Sequence, residues 1–264
     1  MVKKQPIRIV KQSKKSSKKT FSKKRKSKLP TSFWVGSIVL GTVLIIIAFY
    51  RWNKNEKIKE LEKFNTLIPA GFKAVGIDVS HHQGRIDWKD VLDESPLDTM
   101  INFVYCKATE GSTHIDSEWE YNKSQLSNLA VKHGAYHFLN TNTYSIPQAK
   151  HFLNHWNPSE FTLQPVLDVE TESESDKILI ANMYDWLEYV EEKTGYKPII
   201  YTSESFYQTK FQNEFKEYEF WIASYTNQPA SLKDKRVKIW QFTDQAQLPS
   251  VETKIDVNVS KIRF

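Results

Sequence analysis

The sequence predicts an α/β protein: an irregular β/α barrel of about eight strands with reduced helices, preceded by a single transmembrane helix. Three observations support this prediction. An uncharged apolar run occupies residues 33–50. Eight short segments rich in β-branched and aromatic residues follow it. Helical patterns separate the early segments, whereas the late ones are joined by short loops, which is typical of a barrel that has lost helices.

The first 50 residues are typical of a membrane anchor. The first 30 contain 13 Lys and Arg and no acidic residue, whereas the rest of the chain has a net charge of −7. The basic character therefore belongs to a tail, residues 1–32, and we expect no nucleic-acid partner. As a helix, residues 33–50 would be about 27 Å long, enough to cross the hydrocarbon core. A buried helix or a cleaved signal peptide is disfavoured by the uniform apolarity and by the missing small-residue cleavage site.

The charge distribution also predicts the topology of the chain. The basic excess precedes the apolar run, so we expect a single-pass protein of the cytoplasmic membrane whose tail stays in the cytoplasm. Residues 51–71 would form a charged stalk, and residues 72–264 an extracytoplasmic domain. Those 193 residues are enough for one substantial core.

Eight segments of the domain have the length and composition of buried strands. They are residues 74–80, 101–108, 135–140, 164–170, 198–203, 220–225, 237–242 and 254–260. Two helical patterns lie between them, one over residues 119–129 before Gly134 and the other over residues 179–190 before Gly195. Because a glycine just after such a pattern usually stops a helix, we expect helices that end at these two glycines.

Acidic residues lie at the ends of several predicted strands. Asp78 closes the first strand, Asp168 and Glu170 close the fourth, and Asp256 lies in the last. In a parallel β/α barrel the functional groups collect at the carboxyl ends of the strands. One buried Asp is often only a structural hydrogen-bonding group, but three strands that direct carboxyls to one end favour a functional cluster.

The spacing of Asp168 and Glu170 has a chemical consequence. Residues two apart on a strand face the same side, with Cα atoms roughly 6.5–7 Å apart. Their mutual repulsion and partial burial raise the pKa of at least one carboxyl. A carboxyl that is protonated near neutral pH can then act as a general acid beside an ionised partner, which is the arrangement that cleaves a glycosidic bond. The four acids could instead bind Mg²⁺ or Ca²⁺.

Aromatic residues near the strand ends favour the glycosidic alternative. Sugar rings pack their C–H faces on aromatic planes, so a few such side chains in a groove would suit a polysaccharide. Each of them could equally belong to the core. They are Tyr136, Phe138, Tyr201, Trp221, Tyr225, Trp240 and Phe242.

Histidines and the single cysteine add less. His81 and His82 are adjacent, which disfavours a metal site built from both, and we expect them to form hydrogen bonds in a loop. His137 either orients an acid from the barrel interior or only packs. Cys106 lies in an apolar strand and has the character of a small buried hydrophobe.

Several motifs occur together and in one order. They are GIDVSHHQGRIDW, YCKATEG, GAYHF, LDVE, YTS, FWIASY, IWQFT and IDVNVS. Over about residues 74–264 the chain resembles the glycoside hydrolase 25 family of muramidases. DVSxxQGxIDW and KATEG are specific in combination, whereas DVE alone is weak. The tail, the apolar run and the stalk lie outside the resemblance.

The resemblance implies a distorted β/α barrel that hydrolyses the β-1,4 bond between N-acetylmuramic acid and N-acetylglucosamine in the glycan strands of peptidoglycan. It implies no cofactor and no metal. Glu170 would be the proton donor and Asp168 its ionised partner, while Asp78 and Asp256 would hold this pair and tune its pKa values. The matching substrate-binding positions are Lys107, Glu110, Tyr136, Tyr201 and Trp240.

A membrane-anchored muramidase is therefore the function that the sequence favours. A catalytically silent glycan-binding scaffold for cell-wall enzymes is the alternative from a different class. The intact acids disfavour it, because binding alone needs no proton donor. Hydrolysis of a different amino-sugar polymer is a nearer alternative, and retention or inversion at the sugar carbon stays open.

Overall fold

The computed structural model describes residues 40–51, 66–93, 101–226, 228–248 and 250–264. The chain divides into two compact units, Met1–Asn53 and Lys54–Phe264. In the first unit, residues 40–51 are helical, and we label them α1. Among the residues that the structure describes, no helix has both the length and the apolarity needed to cross a membrane. The predicted tail, residues 33–39 of the predicted span and residues 52–65 of the stalk lie outside the described residues.

The second unit alternates strands with helices along most of its length. Its strands are β1 (Ala74–Val79), β2 (Phe103–Glu110), β3 (His114–Ile115), β4 (Lys132–Phe138), β5 (Val166–Asp168), β6 (Ile199–Ser203), β7 (Glu219–Ala223), β8 (Val237–Ala246) and β9 (Ile255–Ser260). Its helices are α2 (Trp88–Asp93), α3 (Trp119–Leu126), α4 (Ser145–Leu153), α5 (Asp176–Thr194) and α6 (Glu204–Phe206), with a π-helical turn at Tyr207–Phe211 and 3₁₀ turns at His81–Gln83 and Ala230–Lys233.

Eight of these strands close into a barrel in the order β1, β2, β4, β5, β6, β7, β8, β9. The predicted eight-strand barrel is confirmed, and the two-residue β3, paired with the end of β2, is an addition. Strand β9 runs antiparallel to both of its neighbours, β1 and β8, whereas the other barrel strands are parallel. The expectation about strand ends assumed parallel strands, and β9 departs from that assumption. The connection between β8 and β9, residues 247–254, is too short for a parallel crossover, so the chain reverses.

One helix-stop prediction is confirmed and the other is wrong. Helix α5 begins at the N-cap Ser175 and ends at Gly195, whose left-handed φ of 73° suits glycine. Helix α3 ends earlier than expected, at Leu126, and Gly134 lies inside β4. The apolar periodicity therefore continued past the true end of α3, where residues 127–131 lead directly into the next strand.

Apolar side chains form two layers around the barrel wall. The larger layer lies under the helices and includes the α5 residues Leu179, Met183 and Trp186. The smaller layer consists of inward-facing strand residues and of Leu163, which precedes β5, and it fills the barrel below its carboxyl-terminal opening. Its buried members are Ala74, Phe103, Tyr105, Leu163, Val166, Ile199, Tyr201, Trp221 and Ile239.

Two glycines make room for the large rings of the inner layer. A Cβ atom on Gly76 would lie 2.3 Å from the Phe103 ring, and one on Gly134 would lie 2.6 Å from the Tyr105 ring. Non-bonded carbon atoms do not approach this closely, so a side chain at either position would force the ring or the strand to shift. This close approach explains why a glycine occupies position 134 within β4.

We expect Gly76→Ala to destabilise the barrel unit by about 1–3 kcal/mol, because the added methyl overpacks the Phe103 ring. Urea unfolding of the full chain, followed by tryptophan fluorescence, measures this change. The double variant Gly76→Ala/Phe103→Leu should recover part of the loss relative to Phe103→Leu alone. A loss that is the same with and without the Phe103 ring would contradict the steric explanation.

Candidate active site

A cleft of about 200 Å³ opens at the carboxyl ends of the parallel strands. The reversed direction of β9 brings the amino-terminal part of that strand to the same end, where Asp256 pairs in register with Asp78 of β1. The four predicted acids are thereby gathered in one place. The lining residues are Asp78, Val79, Ser80, His82, Gln83, Lys107, Tyr136, Phe138, Val166, Asp168, Glu170, Tyr201, Trp221 and Asp256.

Asp78 is the most completely hydrogen-bonded of the four acids. Its carboxyl is buried and accepts from Gln241 Nε2 at 3.0 and 3.2 Å and from Asn258 Nδ2 at 2.7 Å. Asn258 is itself oriented by Trp221, whose indole N–H donates to Asn258 Oδ1 at 2.7 Å. Strands β1, β7, β8 and β9 are therefore linked through side chains beneath the cleft.

The Asp78 and Asp256 carboxyls differ in how they hold a proton. Burial raises the pKa of Asp78 to about 6, and the amide donors of Asn258 and Gln241 limit that rise. Burial, followed by the nearby charge of Asp78, raises the pKa of Asp256 to about 8. At neutral pH the negative charge therefore rests mainly on Asp78, and Asp256 is mainly protonated.

Asp168 and Glu170 lie at different depths. Asp168 is buried at the end of β5, and its Oδ1 has no hydrogen-bond partner among the described residues. Glu170, two residues further on, is exposed at the mouth of the cleft. The predicted side-by-side carboxyl pair is present, with the shorter side chain inside and the longer one at the entrance.

Both carboxyls of the Asp168–Glu170 pair have raised pKa values. Burial, the charge of Glu170 and a hydrogen bond with Glu170 raise the pKa of Asp168 well above its usual value. Desolvation also raises the pKa of Glu170, but the hydrogen bond with Asp168 and the charge of Lys107 oppose that rise.

Lys107 and Glu110 form an ion pair beside these carboxyls. Lys107 Nζ lies 2.7 Å from Glu110 Oε2 and 4.8 Å from the centroid of the Phe138 ring. Lys107 is buried and lines the cleft, where its positive charge opposes the rise that burial causes in the pKa of both Asp168 and Glu170. Glu110 is not among the lining residues and contacts the cleft through Lys107.

Of the three predicted aromatic groove positions, Tyr136 and Tyr201 line the cleft and Trp240 does not. Trp240 packs in the outer apolar layer, and its indole N–H donates to the Ser224 carbonyl at 2.7 Å. The alternation along β8 explains this, because Gln241, the next residue, takes the inward position.

Gln241 and Asn258 are site residues that sequence reasoning missed. Both are buried polar side chains in strands whose outward-facing neighbours are apolar. An uncharged polar residue at alternate positions of an otherwise apolar strand was the signal that could have identified them.

The turn after β1 is fixed by hydrogen bonds. The buried Asp116 carboxyl accepts from the His81 backbone N–H at 3.1 Å and lies 2.7 Å from His81 Nδ1. Ser80 caps the short 3₁₀ turn by accepting from the His82 N–H. The expected hydrogen-bonding role of this loop is confirmed, and the turn supplies Ser80, His82 and Gln83 to the cleft wall.

His137 and Cys106 lie behind the barrel wall. His137 is fully buried, stacks on Trp186 with ring centroids 5.6 Å apart and lies 2.8 Å from Thr109 Oγ1. It therefore packs outside the barrel and orients no acid of the cleft. Cys106 is buried in the outer layer, as expected.

Metal binding is the alternative use of the four acids that the sequence left open. Within the described residues, no group of three or more His, Cys, Asp or Glu side chains is arranged to hold a metal ion. The carboxyls instead differ in depth and in proton affinity, which is the property that acid catalysis requires.

A closed β/α barrel with paired carboxyls in an aromatic cleft defines a class of protein, the glycoside hydrolases. Comparison with known families makes this specific: residues 77–251 match Glycosyl hydrolases family 25, and the chain belongs to that family. It is therefore a glycoside hydrolase.

Individual relatives agree with the family assignment. The chain is 33% identical to the uncharacterized protein YegX of Escherichia coli K12, over 76% of this chain and 74% of that protein. It is 28% identical to Lysozyme M1 of Streptomyces globisporus, over 73% of this chain and 70% of the relative. The structure of a family 25 glycosyl hydrolase from Bacillus anthracis superposes with a TM-score of 0.67 and 25% identity, over 74% of this chain and 92% of that one.

We expect Asp256→Asn to stabilise the protein by about 1–3 kcal/mol at about pH 8 and to have little effect at about pH 4. The pKa of Asp256 is raised from 3.8 to about 8, so the folded state holds this proton more tightly than the unfolded state. The stability that the proton provides is complete below the lower value and is lost as the pH rises through the higher one. Asparagine removes this dependence.

Thermal unfolding of the full chain across this pH range measures the effect. Asp185→Asn, at an exposed position of α5, is the matched control. An equal change for Asp256→Asn at both ends of the range would contradict the assignment of a buried, protonated carboxyl.

Proposed function

We propose that this family 25 hydrolase cleaves the β-1,4 bond between N-acetylmuramic acid and N-acetylglucosamine in peptidoglycan, with Glu170 as the general acid. The observation that carries the proposal is the Asp168–Glu170 pair, with Asp168 buried and Glu170 at the entrance, in an acidic cleft lined by aromatic side chains. The relative named Lysozyme M1 supports the same substrate class.

The general-acid role is assigned to Glu170 because of where its carboxyl lies. Its carboxyl is exposed at the cleft mouth, where it can reach the oxygen of a bound glycosidic bond. Asp168 lies deeper and is better placed beneath the sugar ring that becomes positively charged. Proton donation to the leaving oxygen and stabilisation of an oxocarbenium-like transition state are the two roles that glycoside hydrolysis requires.

Substrate binding would favour a proton on Glu170 and a negative charge on Asp168. A glycan over the cleft removes water from Glu170, which raises the pKa of that carboxyl. An amide or hydroxyl hydrogen of the sugar can donate to Asp168 Oδ1, which has no partner among the described residues. That hydrogen bond favours the ionised form of Asp168. The pair then has the proton on Glu170 and the charge on Asp168.

Asp78 and Asp256 support this pair from below. The charge of Asp78 raises the pKa of Asp168, which helps to keep one proton on the Asp168–Glu170 pair. Ionised Asp78 also adds negative potential beneath the developing positive charge, whereas protonated Asp256 avoids a further repulsion. Lys107, paired with Glu110, limits the rise in pKa so that the acid can still release its proton.

We expect Glu170→Gln to lower kcat on purified peptidoglycan by at least about 100-fold, since a positioned general acid contributes about 10²–10⁴-fold. New reducing ends give the rate, and mass spectrometry identifies the sugar at each new end. Fragments that end in muramic acid are expected from the wild type.

Glu174→Gln is the control, because Glu174 is exposed on the same loop and does not line the cleft. Full activity of Glu170→Gln would overturn the role given to Glu170. Binding of peptidoglycan without cleavage by the wild type would favour the glycan-binding scaffold instead.

Residues 33–50 would anchor the protein in the cytoplasmic membrane, with residues 1–32 in the cytoplasm and the barrel outside. The uncharged run and the basic excess before it support this topology. Such a tether would restrict hydrolysis to wall within reach of the stalk, which suits remodelling of the cell's own peptidoglycan.

The membrane proposal predicts that Ile45→Lys/Ile46→Lys moves the protein from the membrane to the soluble fraction. Each charge in the apolar run costs about 2.5–3.5 kcal/mol of insertion free energy. Both side chains are exposed in α1, so the change leaves packing among the described residues intact. Leu67→Lys, at an exposed position outside the run, is the control. Equal fractionation of the wild type and the double variant would contradict the anchor.

A further inference from the structure

Gln241 occupies the centre of a hydrogen-bond network that the acids alone do not explain. It lies on β8, is 2% exposed and pairs in register with Asn258 of β9. Its Nε2 donates to both oxygens of Asp78, and its Oε1 accepts from the hydroxyls of Tyr201 at 3.0 Å and Tyr225 at 3.1 Å. One carboxamide therefore connects an acid of the cleft to two tyrosines.

A carboxamide suits this position chemically. The group must donate to a carboxylate on one side and accept from two hydroxyls on the other, while staying uncharged in a buried place. An ionised carboxylate would repel Asp78, and an apolar side chain would leave three polar groups without this partner.

The network also fixes the direction of each tyrosine hydroxyl. Because the Tyr201 and Tyr225 hydroxyl hydrogens point to Gln241, the free side of each oxygen carries only lone pairs. Tyr201 is buried, whereas Tyr225 is 57% exposed after the end of β7. Tyr225 shares the Gln241 Oε1 acceptor with Tyr201, which lines the cleft, so the Tyr225 hydroxyl lies beside the cleft wall. It therefore offers an incoming sugar an acceptor and no donor.

We infer that Gln241 is a positioning residue that keeps Asp78 in place as a carboxylate and orients Tyr225 as a hydrogen-bond acceptor for a hydroxyl or amide N–H of the glycan. The inference deepens the proposed function and rests on it. It assigns Tyr225 a substrate contact and explains why a neutral amide stands among acids. The specificity that results is for sugars that present a donor at this point of the cleft.

Other titratable groups surround Asp78 and would respond to the same changes. They are Asp256 on β9, Asp168 and Glu170 at the end of β5, Tyr136 on β4, Tyr201 on β6 and Tyr225 after β7. Because Asp78 is the acceptor for Gln241 Nε2 among the described residues, removal of that donor acts first on Asp78.

Steady-state kinetics of the full chain on purified peptidoglycan separate the two parts of the inference. Tyr225→Phe should raise KM about three- to tenfold, the effect of one lost hydrogen bond, and leave the pH profile unchanged. Gln241→Met should raise KM similarly and also move the acid limb of the kcat/KM profile upward by about one pH unit, because Asp78 loses its donor.

Gln241→Glu tests the contact with Asp78 separately from the contacts with the two tyrosines. It also provides a second variant in case Gln241→Met fails to fold. It keeps the size of the side chain and an acceptor for the tyrosines but removes the donor to Asp78. Gln241→Glu should move the acid limb of the kcat/KM profile upward, with a smaller change in KM than Gln241→Met causes. Gln245→Met, at an exposed position of the same strand, should match the wild type in both readouts.

Two results would overturn the inference: an unchanged KM in Tyr225→Phe, or a wild-type pH profile in both Gln241 variants. A wild type that releases no reducing ends would overturn the proposed function instead. The inference would then be judged by ¹³C titration of the Asp78 carboxyl. An upward shift of its pKa in Gln241→Met would support the inference, and an unchanged titration would overturn it.

Discussion

The buried carboxyl of Asp78, held by two side-chain amides, is the interaction on which the rest of the site depends. It lies on the first barrel strand and accepts from Gln241 and Asn258 on the last two, so it spans the seam where the barrel closes. A carboxylate without such donors would be costly to bury. With them, it links strand closure to catalysis, because the same residues that join the strands also set the charge beneath the cleft.

The four acids of the cleft lie at different depths and differ in how tightly they hold a proton. Asp168 and Asp256 have strongly raised pKa values, Asp78 keeps its charge at neutral pH through the amides, and Glu170 remains exposed at the entrance. This concentration of carboxyls opposes folding increasingly as the pH rises. The unfolded chain has then released protons that the native state must take up again. The repulsion is at the same time what supplies a protonated acid near neutrality, so stability and activity make opposite demands on these residues.

The interior below the cleft is filled by rings, and this supports the acids mechanically. Gly76 and Gly134 allow the rings of Phe103 and Tyr105 to occupy the barrel centre. Tyr105 packs against Trp221, with ring centroids 5.1 Å apart, and Trp221 donates to Asn258. The packed layer thus extends, through one indole, to the amide that orients Asp78. A close-packed interior of this kind holds the donors in fixed geometry.

The sequence by itself determined the strand segments, the position of α5 and the grouping of Asp78, Asp168 and Glu170 at strand ends, because alternation, helical periodicity and spacing are local properties. It also supported the family assignment through its combined motifs. Only the tertiary structure decided that β9 reverses and presents Asp256 beside Asp78, that Trp240 faces outward while Gln241 faces the barrel interior, and that Gly134 clears space for Tyr105. These features depend on contacts between distant strands and on the pairing that closes the barrel, which no local pattern contains.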